Sequence, residues 1–379
     1  MPAFDMVVLG CGGGPSECNL SSYLLKPHDV PWDEGMIGLD AGSGLGALAK
    51  LLTTQPNLFG VRAVNGGGSV PKGYSAAEIY SWLRCYLITH AHLDHVNGAV
   101  LAAGSLPGPP RKVYATYETL KDIETVFSDR LWPNLTSWKE EDSRSMVALI
   151  YSELQPNGQY QHVSDHLSVR TMPVSHGRYP NSSSIYDSAA FFIRHNRSSQ
   201  ELLFFGDVEP DSIAGEGRTQ AIWDVAADMI PHRLNTIFME CSWPLGRPDD
   251  RLYGHLNPEH LLEELSNLAT TVWRSRHSGA EAVRDDDPSS SPSTPKHVRK
   301  RQKRIHASPP MHSDLPELEQ LRGVLDGLRV VIIHCKEDLF GVYDRPINLI
   351  IADQVRELVE DRGLGAEVVA AVQGMHLSI

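Results

Sequence analysis

The sequence predicts a layered α/β fold whose functional residues lie at the ends of strands. Four short apolar runs, rich in β-forming residues, each end abruptly at a polar side chain: 82–89 before His90, 168–175 before His176, 201–206 before Asp207 and 329–333 before His334. Such runs are typical of strands buried on both faces, which helices then cover. Segments with 3.6-residue periodicity follow among them, at 117–127, 258–268 and 347–360. This alternation of strands and helices favours an α/β architecture.

Composition narrows the classes of function. The 379 residues carry a formal net charge of −13, so a long polyanion such as RNA or DNA would be repelled on average. A small anionic substrate escapes this argument, because a metal site can outweigh the global field. No run approaches ~20 apolar residues, and residues 1–14 resemble a first strand more than a signal peptide. Five scattered cysteines without a CxxC pair indicate a reducing compartment, and we expect a cytoplasmic location.

Residues 277–315 differ from the rest of the chain. They combine an aspartate-rich stretch, a Ser/Pro tract and the basic run 296–304, a composition that cannot bury a core. We therefore predict a disordered surface insertion within one catalytic domain formed by residues 1–276 and 316–379. The basic run is either a solvated linker or a patch for nuclear import or an anionic surface.

The glycine-rich segment Val7-Val-Leu-Gly-Cys-Gly-Gly-Gly14 resembles a dinucleotide-binding loop. That fingerprint requires a helix to start at the glycines, facing the pyrophosphate. Here Pro15 and Ser16 follow, and 19–25 has the pattern of another strand. We therefore predict a hairpin with a tight glycine turn and no nucleotide cofactor.

The segment His90-Ala-His92-Leu-Asp94-His95 is the strongest chemical signal in the chain. Imidazole and carboxylate groups together suit zinc, or another borderline divalent ion such as manganese. His90 and His92, two residues apart, can point to one side of an extended segment, and Asp94 and His95 can face a second metal after the chain turns. The alternative is a surface loop that happens to be rich in histidine.

Further ligands are expected at other strand ends, because one cluster cannot complete two sites. His176, Asp207 and His334 each follow an apolar run, in that order along the chain. A lone histidine after a strand is more often structural, but three such residues downstream of the cluster favour metal binding. Asp207 is the natural bridge, since one carboxylate can offer an oxygen to each metal.

The sequence resembles the metallo-β-lactamase superfamily and, more closely, the class II cyclic-nucleotide phosphodiesterases of the fungal low-affinity type. The resemblance covers nearly the whole chain and rests on these motifs: Leu9-Gly-Cys-Gly-Gly-Gly-Pro15, Leu39-Asp-Ala-Gly42, His90-Ala-His-Leu-Asp-His95, Trp132-Pro-Asn-Leu135, Phe204-Phe-Gly-Asp-Val-Glu-Pro210, Glu240-Cys-Ser242, Tyr253-Gly-His-Leu256 and Gln373-Gly-Met375. Ala103-Gly104 and Asn257 depart from the family pattern but touch no candidate ligand. The resemblance implies a four-layer αββα sandwich.

It also implies two divalent ions, most suitably zinc, with manganese as the alternative. One would be held by His90, His92, His176 and Asp207, and the other by Asp94, His95, Asp207 and His334. A hydroxide bridging them, aimed by Asp94, would open the ring of cAMP, with cGMP as a second candidate, to give a 5′-monophosphate.

His255 and His334 compete for the last metal position. By similarity to the tRNA 3′-processing nucleases, we assign His334, after a buried strand, to the metal and His255 to protonation of the leaving oxygen. The alternative makes His255 the ligand and His334 a core residue. Asp40 is expected to orient the cluster. Trp132 and Asn134 are candidates for base binding, or else core and turn residues.

Other functions share parts of this pattern. A tRNA 3′-processing nuclease would use the same chemistry, although the acidic charge argues against it. A thioester or lactam hydrolase would not need the acid at His255, and a metal-free scaffold would not need seven candidate ligands. We expect neither a membrane nor a nucleic-acid partner. The sequence does not decide the oligomeric state, and a homodimer is one alternative.

Overall fold

The computed structural model describes residues 1–62, 72–142, 146–179, 182, 184–281 and 316–379. It contains two β-sheets packed face to face. The strands of the first sheet, in spatial order, are β15 (His376–Ser378), β1 (Phe4–Gly10), β2 (Ser22–Pro27), β3 (Ile37–Leu39), β4 (Cys85–Leu87), β5 (Arg111–Ala115), β7 (Leu149–Glu153) and β6 (Thr136–Ser137). The order of the second is β14 (Glu367–Ala370), β13 (Arg329–Ile333), β12 (Leu234–Glu240), β11 (Glu201–Phe205), β10 (Ile185–His195), β9 (Leu167–Arg178) and β8 (Tyr160–His162).

Helices cover the outer face of each sheet. In chain order they are α1 (Trp32–Gly35), α2 (Leu45–Thr54), α3 (Ala76–Ser81), α4 (Leu93–Ala102), α5 (Tyr117–Val126), α6 (Asp211–Ala214), α7 (Arg218–Ala226), α8 (Pro258–Glu281) and α9 (Ile347–Arg362). In the described part of the chain, none of them is long and apolar enough to cross a bilayer.

Three hydrophobic cores follow from this layering. Strand β1 shows why, because its alternate side chains enter two of them. Met6 and Val8 pack between the sheets with residues of the second sheet such as Phe204, whereas Val7 and Leu9 pack under the helices of the first sheet. The third core lies between the second sheet and α7, α8 and α9. The result is the four-layer αββα sandwich that the sequence predicts.

The element bounds refine the sequence predictions. The predicted strand 329–333 coincides with β13. Of the predicted strand 82–89, only the residues of β4 form a strand. One placement was wrong: His176 lies inside β9 and not after it, because β9 continues to Arg178 to pair with Ile185 of β10. Helix α8 ends at Glu281 and not at residue 268, since its buried face continues through Ala269 and Val272. Residues 277–281 are therefore helical, and 282–315 lie outside the described residues.

The first hairpin forms as predicted but without a tight glycine turn. Strands β1 and β2 pair antiparallel, and residues 11–21 connect them. Residues of this connection also pair with a second segment, after β13. The amide of Gly13 donates to the carbonyl of Cys335 (3.1 Å), and Cys11 accepts from the amide of His334 (2.7 Å). The glycine loop thus lies against a strand end that carries a candidate ligand.

Candidate metal centre

The histidine segment changes direction where the sequence predicts it. Helix α4 begins at Leu93, so His90 and His92 lie in the extended segment after β4, and Asp94 and His95 lie in the first helical turn. The two pairs of side chains therefore leave the backbone in different directions, and they contribute to two different clusters.

In the first cluster, His90, His92 and His176 converge on one oxygen of Asp207. The Nδ1 of His92 is 3.1 Å from Nε2 of His90 and 3.2 Å from Nε2 of His176. The Oδ2 of Asp207 is 3.7 and 3.5 Å from the same two Nε2 atoms. All four candidate ligand atoms lie within 4.8 Å of one another.

In the second cluster, Asp94, His95 and His334 converge on the other oxygen of Asp207. The Nε2 of His334 is 3.1 Å from Nε2 of His95 and 3.3 Å from Oδ2 of Asp94. The Oδ1 of Asp207 is 3.2 Å from His95 and 3.3 Å from His334. Asp207 is buried and follows the last residue of β11 by two positions. It presents one oxygen to each cluster.

A backbone carbonyl fixes which nitrogen of His176 faces inward. The Nδ1 of His176 donates to the carbonyl of Gly254 (2.8 Å), so its Nε2 is left with a lone pair at neutral pH. Burial lowers the pKa of His176 to about 3 and holds that of His90 well below its usual range. The first cluster therefore holds more hydrogen-bond acceptors than donors, and a cation fits it.

Asp40 anchors the second cluster. Its Oδ2 accepts a hydrogen bond from Nδ1 of His95 (2.7 Å), and its Oδ1 accepts one from the amide of Thr89 (2.9 Å). Burial alone would lower the pKa of His95, but the flanking carboxylates of Asp207 and Asp40 outweigh it and raise that pKa well above its usual value. The field at this point therefore favours a positive charge, which a proton or a metal ion supplies.

His334 is held in an unusual backbone conformation. Its φ of 60° lies in the left-handed region, as does the φ of 50° at Asp40. Such conformations cost free energy in residues other than glycine and persist where the surroundings impose them, commonly at functional sites. The Nδ1 of His334 is 3.0 Å from the hydroxyl of Ser242, and the ring is 1% exposed.

His255 lies beside both clusters and is paired with a carboxylate. Its Nδ1 is 2.9 Å from Oε1 of Glu240, whereas the nearest oxygen of Asp207 is 3.7 Å away. Burial would favour the neutral acid at Glu240, but the charge and hydrogen bond of His255 hold the pKa of Glu240 below its usual value. Glu240 thus remains a carboxylate that fixes the orientation of the His255 ring.

Glu240 was not assigned a role from the sequence, although a signal for it exists. Strand β12 is a fifth apolar strand that ends at a polar residue, and that residue is Glu240. Tyr186 and Lys336 had no such signal. The Tyr186 ring stacks on His92 with the ring centres 4.6 Å apart, and Nζ of Lys336 is 3.8 Å from Oδ2 of Asp94.

Trp132 and Asn134, the candidates for base binding, lie after α5. Trp132 is half-buried against the core under the helices of the first sheet. Asn134 is exposed, and its backbone amide donates to the side chain of Asp129 (2.7 Å). In the described ranges we find no hydrogen bond or ring contact between either residue and the two clusters. Asn257, which departs from the family pattern, caps α8, because its side chain accepts from the backbone amide of His260 (2.9 Å).

The sequence is similar to known cyclic-nucleotide phosphodiesterases. The family model described as "cAMP phosphodiesterases class-II" matches residues 15–280. A 3′,5′-cyclic-nucleotide phosphodiesterase of Schizosaccharomyces pombe is 34% identical over 286 residues, which cover 71% of this chain and 76% of that protein. The 3′,5′-cyclic-nucleotide phosphodiesterase 1 of Saccharomyces cerevisiae is 27% identical, with 71% and 84% covered.

Two solved structures bear on the fold. The structure of unliganded yeast PDE1 superposes with a TM-score of 0.74 at 23% identity and covers all of both chains. The metallo-β-lactamase fold protein YhfI of Bacillus subtilis superposes with a TM-score of 0.51 at 14% identity, with 99% of both chains covered. The predicted metallo-β-lactamase fold is confirmed.

Proposed function

The chain belongs to the class-II cAMP phosphodiesterase family, and from this premise we propose that it hydrolyses 3′,5′-cyclic nucleotides to nucleoside 5′-monophosphates. One observation carries the proposal. Two clusters of histidine and aspartate converge on the two oxygens of Asp207, and a histidine held by a buried carboxylate stands beside them. This arrangement suits a phosphodiester, whose charge and leaving oxygen both need stabilisation.

We propose that each cluster holds one divalent ion. His90, His92 and His176 would hold the first, Asp94, His95 and His334 the second, and Asp207 would contact both. The mixed imidazole and carboxylate set fits zinc best, with manganese as the alternative. Such ions supply a water of lowered pKa and neutralise phosphoryl oxygens.

His255 also lies within 4.8 Å of candidate ligand atoms of Asp207, Glu240 and His334, but the shorter distances favour His334 as the seventh ligand. The inward nitrogen of His334 lies 3.1–3.3 Å from candidate ligand atoms of three other residues. The Nδ1 of His255 instead faces Glu240. A metal at that nitrogen would have to compete with the hydrogen bond, so we keep His255 for proton transfer.

Two side chains would then act on the substrate. The carboxylate of Asp94 accepts a hydrogen bond from the attacking water and aims it at phosphorus. The Nδ1 of His255 is taken by Glu240, which leaves Nε2 to give a proton to the departing 3′ oxygen. General acid catalysis of this kind contributes typically ~10²–10⁴-fold. Attack in line with that oxygen opens the ring and leaves the phosphate on the 5′ carbon.

The remaining sequence predictions stay proposals of the same account. Residues 1–276 and 316–379 would form the catalytic domain, with 277–315 as an insertion that takes no part in catalysis and whose first residues, 277–281, extend α8. We place the enzyme in the cytoplasm, with nuclear access through the run 296–304 as the alternative. Base binding by Trp132 and Asn134 stays a prediction from the sequence, and the cavity beside Lys336, described below, offers a different position for the base.

Product analysis tests the proposal. Metal-loaded protein is incubated with cAMP, with cGMP and with an unstructured RNA, with and without a chelator. We expect 5′-AMP from cAMP, no shortening of the RNA, and loss of activity when the chelator is present. Formation of 3′-AMP, or cleavage of RNA in place of the cyclic nucleotides, would show that the reaction has been assigned incorrectly.

A further inference from the structure

We infer that the cavity beside Lys336 binds the nucleoside part of the substrate, an inference that rests on the proposed function. Two segments line this cavity, 243–251 and 336–347, and its volume is about 580 Å³. Sites for small molecules and cofactors typically have volumes of ~300–1,000 Å³. A base with its ribose therefore fits.

Both walls of the cavity are continuous with the candidate metal centre. Lys336 follows His334 by two residues, and its amide donates to the carbonyl of Ser242 (2.9 Å). Its Nζ donates to the carbonyl of Gly13 (2.7 Å) and lies 3.8 Å from Oδ2 of Asp94. The other wall begins at Trp243, next to the serine that contacts His334. A ligand with its phosphate at the clusters thus has the cavity as its immediate neighbour.

The position of His255, the proposed acid, indicates in which direction the ribose and base extend from the metal centre. The indole of Trp243 donates to the carbonyl of Leu252 (3.3 Å), three residues before His255. The cavity therefore lies on the same side of the candidate metal centre as the segment that carries His255. The leaving 3′ oxygen belongs to the ribose, so the ribose and its base must extend on the side of the acid.

The lip of the cavity presents apolar side chains to solvent. Phe340 is 93% exposed and Val342 is 73% exposed. The loop that carries them is nevertheless ordered by Asp338, whose side chain accepts from the amide of Tyr343 (2.7 Å). Exposed apolar groups that gather at a cavity commonly mark a binding site, and an aromatic ring there offers a stacking surface for a base.

Three cations, Arg247, Arg251 and Lys336, line the cavity together with the carboxylates Glu337 and Asp338. The Arg247 guanidinium lies 3.5 Å from the centre of the Trp243 ring, and Arg251 is close by, its carbonyl accepting from Nε of Arg247 (2.6 Å). Within the described residues neither arginine forms an ion pair, although the chain carries a net charge of −13. Stacked guanidinium and indole groups recognise planar, electron-rich rings.

The test compares two substrates that share the cyclic phosphodiester but not the base. Steady-state constants are measured for cAMP and for 1-O-methyl-ribose 3′,5′-cyclic phosphate, which has a methoxy group in place of the base, with the metal-loaded full chain and with Phe340→Ala and Arg247→Gln. Loss of a stacking partner should raise KM for cAMP by about five- to hundredfold. The kcat/KM for the compound without a base should stay within about twofold. Phe340 is almost fully exposed, so its removal should not unfold the protein.

Tyr179→Ala is the matched control, because Tyr179 is an exposed aromatic residue on β9's side of the clusters, next to Tyr186. It should change neither substrate's constants. If both cavity variants leave KM for cAMP unchanged while wild type makes 5′-AMP, the cavity assignment is wrong and the proposed function stands. A wild type that cleaves a p-nitrophenyl phosphodiester but not cAMP would overturn both. A rise in KM with Tyr179→Ala alone would place the base on the opposite side.

Discussion

Gly13→Ala should damage the second cluster although Gly13 is not itself a candidate ligand. A Cβ atom at Gly13 would lie 2.6, 2.7 and 2.9 Å from Cε1, Nδ1 and Nε2 of His334. Non-bonded carbon atoms prefer separations of ~3.5–4.0 Å, so the ring would have to move by roughly 1 Å. It has little room to do so, because it is 1% exposed and its Nδ1 is 3.0 Å from the Ser242 hydroxyl.

The size of the effect follows from these contacts. Overpacking of this kind costs typically ~1–3 kcal/mol of folding stability. Metal–ligand distances are held to within ~0.2 Å, and disturbing the groups that orient a ligand costs ~10–100-fold in affinity. We therefore expect Gly13→Ala to bind one divalent ion normally and the second at least tenfold more weakly.

The assay is a titration of metal-free protein with zinc in the presence of a competing chromophoric chelator, with the melting temperature measured in parallel. Gly46→Ala is the matched control, because a Cβ there meets nothing within 4 Å on the surface of α2. It should leave both affinities unchanged. If Gly13→Ala binds two ions as tightly as wild type, the packing of the glycine loop does not position His334.

Three further predictions concern the acid, the insertion and a buried carboxyl. His334→Ala should lose one ion along with activity. His255→Ala should keep both ions and lower cAMP turnover by ~10²–10⁴-fold, but it should lose little activity on a p-nitrophenyl diester, whose leaving group needs no proton. An equal loss on both substrates would refute the role of His255 as an acid. Replacing residues 282–315 by a short Gly-Ser linker should leave turnover within roughly threefold, and failure to fold would show that the segment belongs to the core. Burial raises the pKa of Glu264 from 4.5 to about 7. The folded state therefore holds this proton more tightly than the unfolded chain, and stability relative to Glu264→Gln should fall as pH rises from 4.5 to about 7; a constant difference in melting temperature between pH 5 and pH 8 contradicts this.

The layers of the fold could be predicted because local pattern and tertiary role agree. Strand β13 reads as an apolar run, and it is buried on both faces between helices and the other sheet. The placement of His176 failed for the opposite reason. Its strand continues past the polar residue to complete pairing with β10, and strand pairing is a long-range property that the local sequence does not contain.

The candidate ligands could be predicted because imidazole and carboxylate side chains are recognisable as metal ligands from their residue type and spacing alone. The residues that hold these side chains in position could not be predicted. Glu240 fixes His255 across fifteen positions of sequence, and Gly13 lies against His334 only because β1 and β13 end at the same rim. Lys336 and Phe340 gave no local signal, since a lysine or an aromatic residue on a loop is ordinary until a cavity is seen beside it.

The number of ions per active chain tests the central claim most directly. Protein loaded with zinc and freed of loosely bound metal by gel filtration is analysed for metal content and for cAMP turnover in the same sample. We predict close to two ions per chain, and turnover that falls in proportion as a chelator removes them. Fully active protein with less than about half an ion per chain would contradict a reaction built on the two clusters around Asp207.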